Sequence, residues 1–235
     1  MELIKNNWAK KDVIELNNYL FSLRVEEKRA WSKNILNTNM DVLALPTPII
    51  KDISKQILKG NFLSLLDFEN DEYYESTAIN GYLITKIDDF NLMKRYLDIY
   101  SKKIDNWASC DLLSFNTKGK EELYFLLTEE YIKSSYPFQR RIGLLILFDF
   151  ITNNSYIKRI FEILNSFYEE THYYVNMMIA WLFCECFIKR REETLSFLKS
   201  HKLNKFSINK GISKCRDSFR VSIEDKESLL KYKVK

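Results

Sequence analysis

The chain contains few of the residues that interrupt regular secondary structure. Only five of its 235 residues are glycine and only three are proline. Turns that need a positive or a fixed φ angle must therefore be rare. This scarcity favours helices that are joined by short connections.

Residues suited to metal binding or to nucleophilic catalysis are also scarce. The two histidines, His172 and His201, are too far apart to complete a zinc-binding spacing. The chain has no glycine-rich phosphate loop, no Ser-His-Asp order and no H-E-x-x-H motif. We expect the cysteines to be buried, reduced thiols of a cytosolic protein. They are Cys110, Cys184, Cys186 and Cys215.

Long apolar runs are absent as well. No stretch reaches the roughly 18 uncharged apolar residues that a membrane-spanning helix requires. The N-terminal sequence MELIKNNWAKKD lacks the apolar region of a secretory signal. We therefore expect a soluble, cytoplasmic protein that makes no membrane contact.

The charge is mildly basic and unevenly distributed. The formal net charge is +4, but residues 202–235 alone contain ten Lys or Arg and four Asp or Glu, a net charge of +6. A basic C-terminal end is compatible with a polyanionic partner such as nucleic acid. It is equally compatible with a solvated tail.

Helical periodicity dominates the rest of the sequence. Val13, Leu16 and Leu20 form one apolar stripe, and the segment from Pro48 to Gly60 repeats isoleucine every four residues. The pattern predicts about a dozen helices of roughly 9–19 residues and no convincing strand. Segments 139–151 and 173–188 are apolar nearly all round, which is typical of helices inside a stack. We predict an all-α fold, a curved α-solenoid of antiparallel helix pairs that forms one domain over residues 1–235.

Four sequence elements occur in an order that resembles a known family. They are LPTPIIKDISKQI (45–57), NWASCD (106–111), FQRRIGLLILFDF (138–150) and YYVNMMIAWLFCECF (173–187). In this order they are similar to the motifs of the AlkD-like DNA alkylation repair family, whose members are HEAT-like repeat DNA glycosylases. The resemblance extends from about residue 12 to residue 232.

The resemblance implies a fold, a partner and a reaction. It implies HEAT-like repeats that form a concave basic surface around double-stranded DNA. Family enzymes excise N3- and N7-alkylated purines by cutting the N-glycosidic bond, without full extrusion of the base. The family match implies catalytic roles for Trp107, Asp111, Arg141 and Trp181, with Arg140 as the rival if the alignment slips by one residue. We expect a monomer with no metal and no cofactor.

These residue types suit the implied chemistry. A purine alkylated at N3 or N7 is already cationic, so it leaves without a general acid and positive charge moves to the sugar. Asp111 would stabilise that charge and position a water at the anomeric carbon. The rings of Trp107 and Trp181 would favour the cationic base by roughly 0.5–2 kcal/mol each. Arg141 would hold a phosphate, and the i, i+4 spacing of Trp107 and Asp111 places both on one helix face.

Structural roles remain open for the same residues. Trp107 could pack near a helix start that is capped by Asp105 or Asn106. Trp181 could belong to the core, and Asp111 could be solvated. Glu185 is interpreted as structural, in an ion pair with Arg141 or Lys189. Trp31 could line the DNA-binding groove.

A group of basic residues could contact phosphates or could form an ordinary solvated face. They are Lys103, Arg140, Lys210, Lys214, Arg216 and Arg220. Two other functions remain as alternatives to the glycosylase: a catalytically inactive DNA-binding module, and a protein-binding helical scaffold.

Overall fold

The computed structural model describes residues 1–235 and confirms the all-α prediction. Fourteen α-helices and two short 3-10 helices are present, and the only β-type pairing is an isolated bridge between Asp41 and Tyr73. The α-helices are α1 (Lys10–Ser22), α2 (Glu26–Leu36), α3 (Thr47–Ile57), α4 (Leu63–Leu66), α5 (Tyr74–Ile84), α6 (Phe90–Lys103), α7 (Trp107–Asp111), α8 (Glu121–Tyr131), α9 (Pro137–Ile146), α10 (Asn154–Ser166), α11 (Tyr173–Lys189), α12 (Arg191–Leu198), α13 (Lys205–Asp217) and α14 (Ile223–Ser228).

Several helices are shorter than the sequence predicted. Helix α3 ends at Ile57, three residues before Gly60, and α7 contains five residues. The predicted helix over 139–151 is α9, which continues as a 3-10 helix over Leu147–Phe150. Short helices are missed because apolar periodicity needs at least two or three turns to become visible.

The chain divides into two compact units, residues 1–116 and residues 117–235. Each unit has its own buried residues. The single domain over residues 1–235 stays a prediction.

The core of the first unit forms where α1, α3 and α5 meet. Leu16 and Leu20 of α1, Ile53 and Ile57 of α3, and Leu83 of α5 are all buried there. Spacings of four residues keep each pair on one face of its helix. Burial of a side chain of this size stabilises the fold by about 1.5–3 kcal/mol.

In the second unit, α9, α11 and α13 lie side by side and run in the same direction. Phe138 at the start of α9 contacts His172 at the start of α11, and Phe148 after α9 contacts Trp181 later in α11. At the start of α13, Phe206 contacts Tyr173. Helices α10 and α12 connect successive members of this layer along the chain. A curved solenoid stays a prediction.

All four cysteines are free and buried, as predicted. No helix combines the length and the apolar character needed to cross a membrane.

Candidate active site

Trp107 and Asp111 lie together in the first unit, on the short helix α7. Asn106 caps this helix, and its side-chain oxygen accepts a 2.9 Å hydrogen bond from the backbone N–H of Ser109. The predicted cap at Asn106 is therefore confirmed. Trp107 and Asp111 are one turn apart and both line an open cavity of about 600 Å³.

The α2 helix supplies a second indole to this cavity. The side chain of Trp31 is 65% exposed and lines the cavity together with Trp107. The indole N–H of Trp107 donates a 3.2 Å hydrogen bond to the backbone oxygen of Ile35, also in α2. The Trp107 ring is therefore anchored at its polar edge and still borders open space, and its catalytic role stays a prediction.

Tyr100 of α6 anchors helix α7 through a hydrogen bond to its backbone. The Tyr100 hydroxyl donates a 2.7 Å hydrogen bond to the backbone oxygen of Ser109, which lies between Trp107 and Asp111. Gly81 of α5 makes room for this contact, since a Cβ there would lie 2.7 Å from the Tyr100 hydroxyl oxygen. The orientation of α7 therefore depends on a residue from each of two other helices.

Glu75 of α5 is a lining residue that the sequence reasoning missed. Only 1% of it is exposed, and its carboxylate accepts hydrogen bonds from the N–H groups of Leu43 (3.0 Å) and Leu45 (3.2 Å). Ala44 between them has a φ of 60°, so this loop curls around the carboxylate. Burial raises the pKa of Glu75, while the backbone N–H donors act in the opposite direction.

Because Glu75 is buried in the loop, Asp111 is the acidic lining residue that keeps exposed surface. Nearby, burial raises the pKa of the Tyr74 phenol, and the charge of Asp111 adds to this effect. The ammonium group of Lys51 lies 5.8 Å from the ring centre of Tyr82, at another part of the same cavity.

In the second unit, Arg140 and Arg141 are both bound within the fold. Arg140 forms two hydrogen bonds with the Glu170 carboxylate, at 2.7 and 3.0 Å, and donates to the backbone oxygen of Ser134 at 2.8 Å. Arg141 is only 5% exposed and donates to the backbone oxygen of Tyr174. A buried arginine needs such partners because its charge cannot be removed.

Trp181 lies in the middle of α11, and part of its ring reaches the surface. It is 37% exposed and packs edge-on against Phe148, with ring centres 4.8 Å apart. Most of α11 is buried around it, including Glu185 one turn later. Glu185 is structural, as predicted, since it pairs with Arg220 and lies 4.0 Å from Lys189.

The other predicted phosphate contacts fall into two groups. Lys103 pairs with Glu69 and Asp71 at 3.1 and 3.2 Å, Arg216 pairs with Glu227 at 3.7 Å, and Arg220 pairs with Glu185. A phosphate at these residues would have to compete with a carboxylate. Lys210 and Lys214 form no ion pair.

A family model described as DNA alkylation repair enzyme matches residues 16–215. This range includes Trp107, Asp111, Arg141 and Trp181, whereas Arg216 and Arg220 follow its end. No curated protein matches the chain. The structure contains no group of three or more His, Cys, Asp or Glu residues that could hold a metal ion.

Proposed function

The chain belongs to the DNA alkylation repair enzyme family, and we propose that it is a DNA N-glycosylase. The proposed substrate is double-stranded DNA with a purine alkylated at N3 or N7. The products would be the free base and an abasic site. This reaction needs neither a metal nor a cofactor.

One observation carries this proposal: Asp111 and two tryptophans share a single open cavity of the first unit. Trp31 and Trp107 offer aromatic faces, and Asp111 offers a negative charge beside them. This combination suits a cationic guest, because aromatic rings and carboxylates both attract positive charge. An alkylated purine nucleotide is such a guest.

The chemistry follows from the charge distribution of the substrate. When the bond between the sugar C1′ and the base nitrogen breaks, the electron pair leaves with the base and neutralises it. The sugar becomes an oxocarbenium-like cation, which the Asp111 carboxylate stabilises. A water oriented by Asp111 then adds to C1′, and its proton passes to the carboxylate or to solvent.

The second unit is proposed to contribute DNA contacts. Trp181 has an exposed ring, and Lys210 and Lys214 form no ion pair that a phosphate would have to displace. The phosphate contact predicted for Arg141 stays a prediction. Since this side chain is 5% exposed, such a contact would use only a small part of the guanidinium group.

The test is release of methylated purines from duplex DNA treated with a methylating agent. We would compare the wild type with Asp111→Asn, which keeps the shape of the side chain and removes its charge. The matched control is Asp52→Asn on α3, whose side chain is 71% exposed and outside the cavity. We expect base release to fall about 100-fold or more in Asp111→Asn, because electrostatic groups at developing charge contribute on this scale.

The outcomes separate the candidate functions. Equal base release by Asp111→Asn and Asp52→Asn would leave an enzyme whose mechanism does not use Asp111. Binding of methylated duplex without any base release would support the inactive DNA-binding module. Absence of DNA binding would support the protein-binding scaffold.

A further inference from the structure

Two aromatic rings lie exposed beside each other in the second unit. Tyr173, the first residue of α11, is 54% exposed, and Phe206, the second residue of α13, is 43% exposed. Their ring centres are 5.8 Å apart and their planes are inclined by 62°. Isolated exposed apolar residues are ordinary, but adjacent exposed rings form a patch that suggests a binding surface.

Lysines without carboxylate partners surround these rings. Residues 194–216 contain six Lys or Arg and no Asp or Glu. Lys205 lines a hollow of about 450 Å³ together with Tyr173 and Phe206. Lys205 and Lys210 line a second hollow, of about 500 Å³, which Phe206 also lines. Neither lysine forms an ion pair, so both charges remain available to a ligand.

The C-terminal tail adds positive charge to the same face. The side chain of Asn209 accepts a 2.9 Å hydrogen bond from the N–H of Val234 and donates a 2.8 Å hydrogen bond to its backbone oxygen. This pairing holds the tail against α13. The ammonium group of the preceding residue, Lys233, lies 3.4 Å from the hydroxyl oxygen of Ser213.

One carboxylate lines the first hollow, but it does not neutralise the lysines. Glu170 has a side chain that is 6% exposed and pairs with Arg140 at 2.7 Å. Its oxygens also accept hydrogen bonds from the N–H groups of Thr171 (3.0 Å) and His172 (2.8 Å). The surface above it therefore keeps its positive charge.

We propose that this lysine–aromatic surface, defined as Tyr173, Lys205, Phe206 and Lys210, binds unpaired nucleotides of single-stranded DNA. Proteins that bind single strands combine a positively charged track for the phosphates with aromatic rings on which bases stack. Lys205 and Lys210 supply the charges, and Phe206 supplies a ring that lines both hollows. A duplex could use the lysines but not the rings, because its bases are already stacked.

Binding of a single strand at this surface is an activity distinct from the excision of alkylated bases. It concerns an undamaged strand, and it uses residues other than Trp107 and Asp111. A single strand bound there would attach the protein to DNA independently of damage. Its test therefore needs no alkylated base and measures no catalysis.

The test is fluorescence anisotropy of a labelled thymidine oligonucleotide titrated with the full-length protein. We expect Phe206→Ala and Tyr173→Ala each to weaken binding about fivefold or more, as loss of a stacked base does. Phe206→Trp, which keeps a stacking ring, should bind as tightly as the wild type. The double variant Lys205→Gln/Lys210→Gln should lower the slope of log K against log salt by about 1.4, the value for two phosphate contacts to a single strand.

The matched control is Phe219→Ala. Phe219 is fully exposed, and residues 217–227 around it contain four Asp or Glu and two Lys or Arg. Its loss should leave the binding of the oligonucleotide unchanged. The proposal is wrong if Phe206→Ala and Phe219→Ala have the same effect. It is also wrong if polyglutamate displaces the oligonucleotide as effectively as unlabelled single strand, because the site would then recognise charge alone.

Discussion

The hydroxyl of Tyr100 donates a 2.7 Å hydrogen bond to the backbone oxygen of Ser109, in the middle of the helix that begins with Trp107 and ends with Asp111. A helix of five residues cannot hold its own conformation in water. Its orientation must therefore come from the surrounding structure. Tyr100, which is 6% exposed, supplies one of these constraints.

Tyr100→Phe should therefore lower both stability and base release. The variant leaves the buried backbone oxygen of Ser109 without this donor, which costs about 1–3 kcal/mol. Loss of the anchor should also displace α7 and reduce kcat for base release. Urea unfolding and the methylated-duplex assay measure the two effects.

A matched control is Tyr96, which lies on α6, the helix that contains Tyr100. The hydroxyl of Tyr96 donates a 2.7 Å hydrogen bond to the Asp67 carboxylate, outside the cavity that holds Asp111. Tyr96→Phe should lower stability without a change in kcat. Equal kcat values for the two variants would show that Tyr100 does not position α7.

Gly81→Ala should disturb the hydrogen bond between Tyr100 and Ser109 by crowding the Tyr100 hydroxyl from α5. The added Cβ would lie 2.7 Å from both the Tyr100 hydroxyl oxygen and Cδ1 of Leu112. Overpacking of this kind lowers the free energy of unfolding by about 1–3 kcal/mol, against a gain of up to about 1 kcal/mol in helix propensity. Gly119→Ala is the comparison: it meets no atom within 4 Å, and its strain comes from a φ of 76°. Only Gly81→Ala should reduce base release.

Glu170→Gln should strongly destabilise the second unit. Its carboxylate pairs with Arg140 and accepts hydrogen bonds from the N–H groups of Thr171 and His172, just before α11 begins. Since only 6% of the Glu170 side chain and 17% of the Arg140 side chain are exposed, loss of the negative charge leaves a largely buried cation and costs roughly 3 kcal/mol. The neighbouring Glu169→Gln, at an exposed residue, is the control. Similar urea midpoints for the two variants would contradict the structural role of Glu170.

Asp12 should make stability depend on acid pH. Its hydrogen bond with Lys5, supported by the N–H of Ala9, lowers the pKa of Asp12 below its ordinary value of 3.8. A carboxyl whose pKa is lower in the folded state stabilises the protein above the unfolded pKa, and that contribution disappears as the pH falls through the folded pKa. The stability difference between the wild type and Asp12→Asn should be constant near neutral pH and shrink below about pH 4. A difference that does not change in acid would show that Asp12 has an ordinary pKa.

The sequence by itself determined the all-α class and the positions of the long helices. The segment 173–188, which is apolar nearly all round, predicted α11, and the structure places this helix over Tyr173–Lys189. It also predicted the family, and the family match over residues 16–215 confirms that prediction. The spacing of Trp107 and Asp111 was enough to place both on one side of a helix, because that geometry is local.

Only the tertiary structure decided which charged groups are already paired and what surrounds Asp111. Arg140 and Arg141 are adjacent in the sequence. Arg140 nevertheless binds the Glu170 carboxylate, whereas Arg141 donates to the backbone oxygen of Tyr174. Glu75 lies 36 residues before Asp111 in the chain, yet both line one cavity. The burial of Glu75 depends on the loop whose N–H groups, from Leu43 and Leu45, bind its carboxylate. Such contacts join residues that are distant in sequence, and side-chain spacing along one helix carries no information about them.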